Sequence, residues 1–362
     1  MKINNKNHVL PKKHIVPCLI LFFMEVCMKK ILAVLLVLTV AMAAFAGGGG
    51  QAGGDDGGVT RGMNKKMVMG YSQIGAESEW RNANTLDILA AATDWNVDLR
   101  FSDAMQKQEN QLQAIRTFIR QKVDIIAFTP VVETGWAAVL SEAKAAKIPV
   151  ICVDRTIAEG MESDLFTAFI GSDMELEGRR SAEWLVNYMN QIGRGNKNPI
   201  NVVELQGTVG SGPATGRQIG FKAVLDQYPN YKIIRTQTGN FTRAEGKQVM
   251  EAFLKSDGDI IDVLFAHNDD MAIGAIQAIE EYGRKPGEDI IIVSIDAVKG
   301  AFEAMMAGKL NASIECNPLL GNQTIDTAVK ILTGQKVPKW VVSEEAVFDQ
   351  SNAAAAFPTR SY

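Results

Sequence analysis

From about Met67 onward, short β-branched runs alternate with longer segments whose apolar residues recur at helical spacing. This rhythm constrains the fold more than any other feature of the chain. Residues 68–73, 97–101, 124–129 and 150–154 are strand-like, and 81–94, 106–121 and 134–146 between them carry the helical pattern. Successive strands joined by helices pair in parallel, and the helices cover both faces of the sheet. The pattern then restarts, with strands predicted at 201–206, 232–236, 263–267 and 290–296 and helices at 213–227, 243–255, 270–282 and 298–307. Two open α/β sheets, one after the other, are expected.

Open α/β sheets bind ligands outside the carboxyl ends of their strands, so the polar residues that end the runs are the candidate site. In the first half these are the segment Ser72 to Arg81, with Glu77 and Trp80 in it, then Thr129-Pro130 and Asp154-Arg155. The second half offers Gln206-Gly207-Thr208, Asn240-Phe241, Asn268-Asp269-Asp270 and Asp296. Carboxylates, amides and guanidinium forks hydrogen-bond vicinal hydroxyls, while an aromatic ring covers the apolar side of a sugar. Neither half alone holds enough to enclose a ligand, so a site between two halves is predicted.

The N-terminal segment points to export. Met28-Lys29-Lys30 precedes the apolar run 31–45, which ends in Ala44-Phe45-Ala46, the layout of a cleaved secretory signal peptide over 28–46. The run is short for the roughly 20 apolar residues that span a bilayer. Cleavage is expected after Ala46, and translation is expected to start at Met28 or Met24, so that residues 1–27 of the 1–46 leader would not belong to the protein. A glycine-rich tether follows at 47–66, too poor in apolar residues to build a core.

Composition removes several classes of function. A net charge of -4 gives no electrostatic footprint for nucleic acid. Beyond the leader only His267, Cys152 and Cys316 remain among histidines and cysteines, too few for a histidine triad, a multi-histidine metal site or a zinc site of paired cysteines. Gly207 to Gly212 follows a strand and precedes a helix, but its glycines do not fit a dinucleotide loop, and no phosphate-binding loop motif occurs. No cofactor and no metal are expected.

Asp154-Arg155, Arg217 in Ala-Thr-Gly-Arg-Gln-Ile-Gly-Phe, Phe241 in Asn-Phe-Thr-Arg, Asn268-Asp269-Asp270-Met271-Ala272 and Ser294-Ile295-Asp296 resemble the ribose- and galactose-type periplasmic binding proteins of ABC transporters. The segments 72–81, 106–111 and 203–210 are most similar to the galactofuranose-binding type within that family. The resemblance implies two Rossmann-like lobes with parallel sheets joined by a three-segment hinge, the type I periplasmic binding protein fold. The first lobe would hold 67–171 plus 317–342, and the second 172–316 plus 343–362. It implies a monomeric periplasmic receptor that closes on a monosaccharide, galactofuranose by preference, and delivers it to permease subunits, with no enzymatic activity.

By the same resemblance, Asp154 and Arg155 hold hydroxyls from one lobe, and Arg217, Asn268 and Asp296 from the other. Trp80 and Phe241 stack on the ring, and Glu77 and Arg81 belong to the galactofuranose-type segment. Cys316 stands where related receptors often carry an amide, so Glu315 beside it is expected to supply that contact. Asp269 and Asp270 open a helix, and N-capping accounts for at least one of them without a ligand; Trp136, Trp184 and Trp340 are read as packing, and Lys107 as solvated. Loss of Arg217 is expected to weaken binding with little effect on folding. Two alternatives stay open: a sugar receptor for a chemosensory or kinase ectodomain, and a glycoside hydrolase using Asp154, Asp296 or Glu315 as its carboxyl pair. A sugar-responsive transcription regulator is disfavoured, because it needs a DNA-binding headpiece where this chain carries an export signal.

Overall fold

The computed structural model describes residues 58–362, so the signal peptide and most of the glycine-rich tether lie outside the described residues. Two six-stranded sheets form. The first contains β1 (Val68–Gln73), β2 (Asp98–Asp103), β3 (Ile125–Phe128), β4 (Val150–Val153), β5 (Ala168–Gly171) and β11 (Trp340–Val342), in the order β11-β5-β4-β3-β1-β2, all parallel. The second contains β6 (Ile200–Gln206), β7 (Tyr231–Thr238), β8 (Val263–Ala266), β9 (Ile291–Asp296), β10 (Ala312–Glu315) and β12 (Val347–Asp349), in the order β12-β10-β9-β8-β6-β7. Its edge strand β12 runs antiparallel to β10, which the sequence pattern did not anticipate.

Helices cover both faces, as parallel strands that are apolar on both sides require. On the first sheet, α1 (Glu79–Asp94) and α9 (Gly321–Leu332) bury Ile88, Ala91, Ile325 and Ala328 on one face. On the other face, α2 (Gln108–Gln121) and α3 (Ala137–Ala145) bury Ile115, Phe118, Val139 and Leu140, with Trp136 fully enclosed beside Phe128. The second sheet is packed by α4 (Met174–Gln191), α5 (Gly212–Leu225), α6 (Arg243–Asp257), α7 (Asp269–Tyr282) and α8 (Lys299–Met306), with the short α10 (Ala353–Ala356) against α8.

The chain passes between the sheets three times: from β5 into α4, from β10 into α9, and from β11 to β12. These crossovers lie side by side, since Trp340 to Val342 pair with β5 and Val347 to Asp349 pair with β10. The helices that point at the cleft are capped by their own sequence. Ser78 caps α1, Ser211 caps α5 with Pro213 in its first turn, and Asn268 caps α7, each side-chain oxygen accepting a backbone N–H two or three residues into the helix.

Candidate functional site

A cavity lies where the carboxyl ends of the two sheets face each other. Glu77, Ser78, Trp80, Arg81, Asp154 and Arg155 line it from one lobe, Pro213, Arg217, Phe241, Asn268 and Asp296 from the other, and Cys316 from the second crossover. Nine of the ten residues predicted from sequence therefore meet here, and Glu315 does not. Successive side chains on a strand point to opposite faces, so the cavity receives Cys316 and not Glu315. The Glu315 carboxyl instead accepts from Arg360 Nη1 at 2.6 Å, the Tyr362 hydroxyl at 2.8 Å and the Ala346 amide at 2.9 Å, fastening the C-terminal tail.

In the first lobe the charges form a chain. Arg81 Nε contacts Glu77 Oε1 at 3.0 Å and Arg81 Nη2 contacts Asp154 Oδ2 at 2.7 Å, all with side chains at most 4 % exposed. Burial alone would lower the Arg81 pKa; Asp154 and Glu77 outweigh it and raise it. Asp154 is therefore paired chiefly with Arg81, while its sequence neighbour Arg155 stands 3.7 Å away. Arg155 gives one Nη1–H to the Val131 carbonyl at 3.1 Å, and its Nε is buried without a partner. Burial, with the like charge of Arg81, lowers its pKa to about 10. The second oxygen of Glu77 is likewise buried and unpartnered.

Arg217 anchors the second lobe. Its Nε bonds Glu177 Oε2 at 2.7 Å, its Nη1 donates to the His267 carbonyl, and Nη2 lies 3.6 Å from Asp296. Burial pushes the Asp296 carboxyl well above its ordinary pKa, against the pull of Arg217 and with help from Asp269. The expectation that Arg217 could be removed without harm to folding is corrected here: its partner Glu177 has a completely buried side chain, and cutting one member of a buried pair strands the other.

Asn268 spends one donor on the Phe241 carbonyl at 3.1 Å and its oxygen on the Met271 amide, leaving one N–H and one lone pair. Asp269 is also structural. It accepts from Ser294, Ser313 and the Val298 amide, and burial raises its pKa to about 7 despite these bonds.

Two aromatic walls complete the cavity. Trp80 is 4 % exposed, packs into the core of the opposite lobe, and donates Nε1–H to the Cys316 carbonyl at 2.6 Å. The Phe241 ring carries the Arg155 guanidinium at 5.3 Å and the Arg217 guanidinium at 6.0 Å from its centroid, within cation–π range. Gly207 makes room for that ring: a Cβ there would stand 1.8 Å from Phe241 Cζ. Asp154, Phe241 and Asp296 all have positive φ, at 63°, 64° and 124°. Strained backbone of this kind persists where the surroundings over-determine it, as at a ligand site.

Glu177 was not legible as a site residue, because a lone carboxylate in a helix normally faces water. Its one signal is position: Glu177, Ser181 and Leu185 recur at spacing four on the buried face of α4. Glu177, Cys316 and Glu345 bring two carboxyl oxygens and a thiol within 4.8 Å of one another behind the cavity, with the Arg217 guanidinium already on Glu177 as positive charge.

Two hinged α/β lobes with a small, charged and aromatic cavity between them define a solute-binding protein. The chain belongs to the periplasmic binding protein family, whose domain matches residues 69–336. The galactofuranose-binding protein YtfQ of Escherichia coli K12 is 45% identical over 275 residues, covering 75% of this chain and 84% of that protein. Among solved structures, a Mycobacterium smegmatis protein in complex with β-D-fucofuranose is 49% identical, with TM-score 0.77 over 81% of this chain and 94% of that one. The periplasmic binding component of the arabinose ABC transporter from Shewanella sp. ANA-3, bound to α- and β-L-arabinofuranose, is 46% identical, with TM-score 0.76 over 82% of this chain and 96% of that one.

Proposed function

We propose that this protein is the exported receptor of an ABC importer, that it encloses one furanose sugar between its lobes, galactofuranose by preference, and that the closed form engages the permease. The observation that carries this reading is the pairing of orphaned polar atoms with aromatic walls. Arg155 Nε and Glu77 Oε2 are buried without partners in residues lining the cavity, flanked by Trp80 and Phe241. Unpaired buried polar atoms are costly unless a ligand satisfies them, and sugar hydroxyls do so while the ring's C–H face meets the aromatic walls. The furanose preference is supported by the likeness to two furanose-bound structures and to a galactofuranose-binding protein.

The carboxyls of the cavity are acceptors in this reading. Asp154 is held by Arg81 and Asp296 faces Arg217, so each guanidinium and carboxylate presents an oriented donor–acceptor pair to adjacent hydroxyls. The test is NMR of the protein with galactose labelled at the anomeric carbon, whose chemical shift distinguishes five- from six-membered rings. A bound furanose signal is expected; a bound pyranose signal overturns the ring preference, and no bound sugar overturns the receptor reading.

A further inference from the structure

Each of the three crossovers between the lobes contributes one side chain to a single cluster. Ser172 follows β5, Cys316 follows β10, and Glu345 lies between β11 and β12. Glu177 joins them from the first turn of α4. A carboxyl oxygen of Glu177, the Cys316 sulfur and a carboxyl oxygen of Glu345 lie within 4.8 Å of one another. Glu177 and Cys316 are buried and Glu345 is partly so.

Two observations set this cluster apart from an ordinary group of acidic side chains. The first is an orphaned acceptor. Glu177 gives Oε2 to the Arg217 guanidinium at 2.7 Å, while its Oε1 is buried and accepts no hydrogen bond. A buried carboxyl oxygen without a partner is costly unless a ligand meets it. The second is charge. Ionised, the two carboxyls and the thiol carry three negative charges, and the cation bonded to them is Arg217, which also stands 3.6 Å from Asp296. Arg180 donates to the backbone carbonyl of Glu345 at 3.1 Å rather than to its carboxyl. A divalent ion supplies the positive charge that is lacking.

We propose that Glu177, Cys316 and Glu345 bind one divalent cation of the zinc class, which fastens the three crossovers to one another. Zinc takes a thiolate at about 2.3 Å and carboxylate oxygens at about 2.0–2.2 Å, which sets neighbouring ligand atoms roughly 3.5 Å apart. The thiol gives its proton to solvent as the ion binds. Supporting bonds are in place: the Ser172 hydroxyl donates to the Glu345 carboxyl and lies 3.6 Å from the Cys316 sulfur, and Arg217 holds the other oxygen of Glu177. Outer partners of this kind orient metal ligands. The composition spoke against sites of paired cysteines or several histidines. One thiol and two carboxyls drawn from separate crossovers have no spacing that a sequence motif records.

The experiment uses the purified protein without a histidine tag, reduced and stripped of metal by a chelator that is then removed. Co2+ is expected to bind one per chain with a thiolate charge-transfer band in the near ultraviolet. Zn2+ is expected to displace it and to raise Tm, and Ca2+, which prefers all-oxygen sites, to do neither. Cys316→Ser is expected to lose the band, and both it and Glu345→Gln to bind Zn2+ at least roughly tenfold more weakly. Cys152→Ala, which removes the buried thiol outside the cluster, is expected to keep the band and the affinity. A wild type that shows no cobalt band overturns the proposal however the variants fold. So does a band that survives Cys316→Ser or vanishes in Cys152→Ala, or a Zn2+ affinity that Glu345→Gln leaves unchanged.

Discussion

Arg155 and Arg217 both reach the cavity, but the fold depends on them differently. Arg155 has one carbonyl partner, and its Nε, 3.7 Å from Asp154, makes no hydrogen bond within the protein, so a donor is left over for a ligand. Arg155→Met is expected to weaken sugar binding by about 1.5–3 kcal/mol, on the order of ten- to hundredfold in Kd, with the sugar-free melting temperature unchanged or raised. Arg217→Met is expected to lose binding and also about 3–5 kcal/mol of stability in urea unfolding, because the buried Glu177 is left without its partner. Adding Glu177→Gln to Arg217→Met should restore much of the stability and none of the binding. Gly207→Ala tests a steric role. It must move the Phe241 ring, and calorimetry is expected to show weaker binding without any polar contact having been deleted. The glycines from Gly207 to Gly212 do not fit a nucleotide loop, and the contact with Phe241 gives Gly207 a packing reason.

At the level of elements, the N-terminus of α1 is clasped by the opposite lobe outside the sugar cavity. The Glu79 amide donates to Asp270 Oδ2 at 2.7 Å, Arg243 bonds Asp270 at 2.8 Å, and Arg243 stands 3.6 Å from the Glu79 carboxyl. On the far rim the Glu133 amide donates to the Gly210 carbonyl at 2.9 Å. These bonds exist only when the lobes meet, so they add to affinity without touching the ligand. Asp270→Asn is expected to raise Kd roughly threefold to tenfold, through faster release measured by stopped flow. Because Arg243 is 46% exposed, added salt should weaken the wild type modestly and the variant less.

For the whole molecule, closure and ligand binding are one equilibrium. Sugar is expected to reduce the radius of gyration in small-angle scattering, and at a concentration about 100 times Kd to stabilise the fold by ~2.7 kcal/mol, raising Tm by roughly 5 °C. Unchanged scattering at saturation would contradict the clamp. The paired sheets were legible because β-branched runs alternating with amphipathic helices leave few other topologies. The strands β5, β10, β11 and β12 were not read, since three or four residues carry little usable period, and neither were the helices α4 and α9 beside the crossovers.

The sequence by itself determined the two α/β units and the strand-end positions of Asp154, Arg155, Asn268 and Asp296, which follow from local period and from where polar residues interrupt it, while the choice of Trp80 and Phe241 as ring-stacking surfaces is what the family resemblance implies. Only the tertiary structure decided the partners. It gave Asp154 to Arg81 rather than to Arg155, and turned Glu315 away from the cavity to the C-terminal tail. It also gathered Ser172, Glu177, Cys316 and Glu345 from three separate crossings of the chain. Local pattern fixes which way a side chain leaves its own strand or helix. Which distant charge it meets, and how much water is left between them, depends on how the lobes come together.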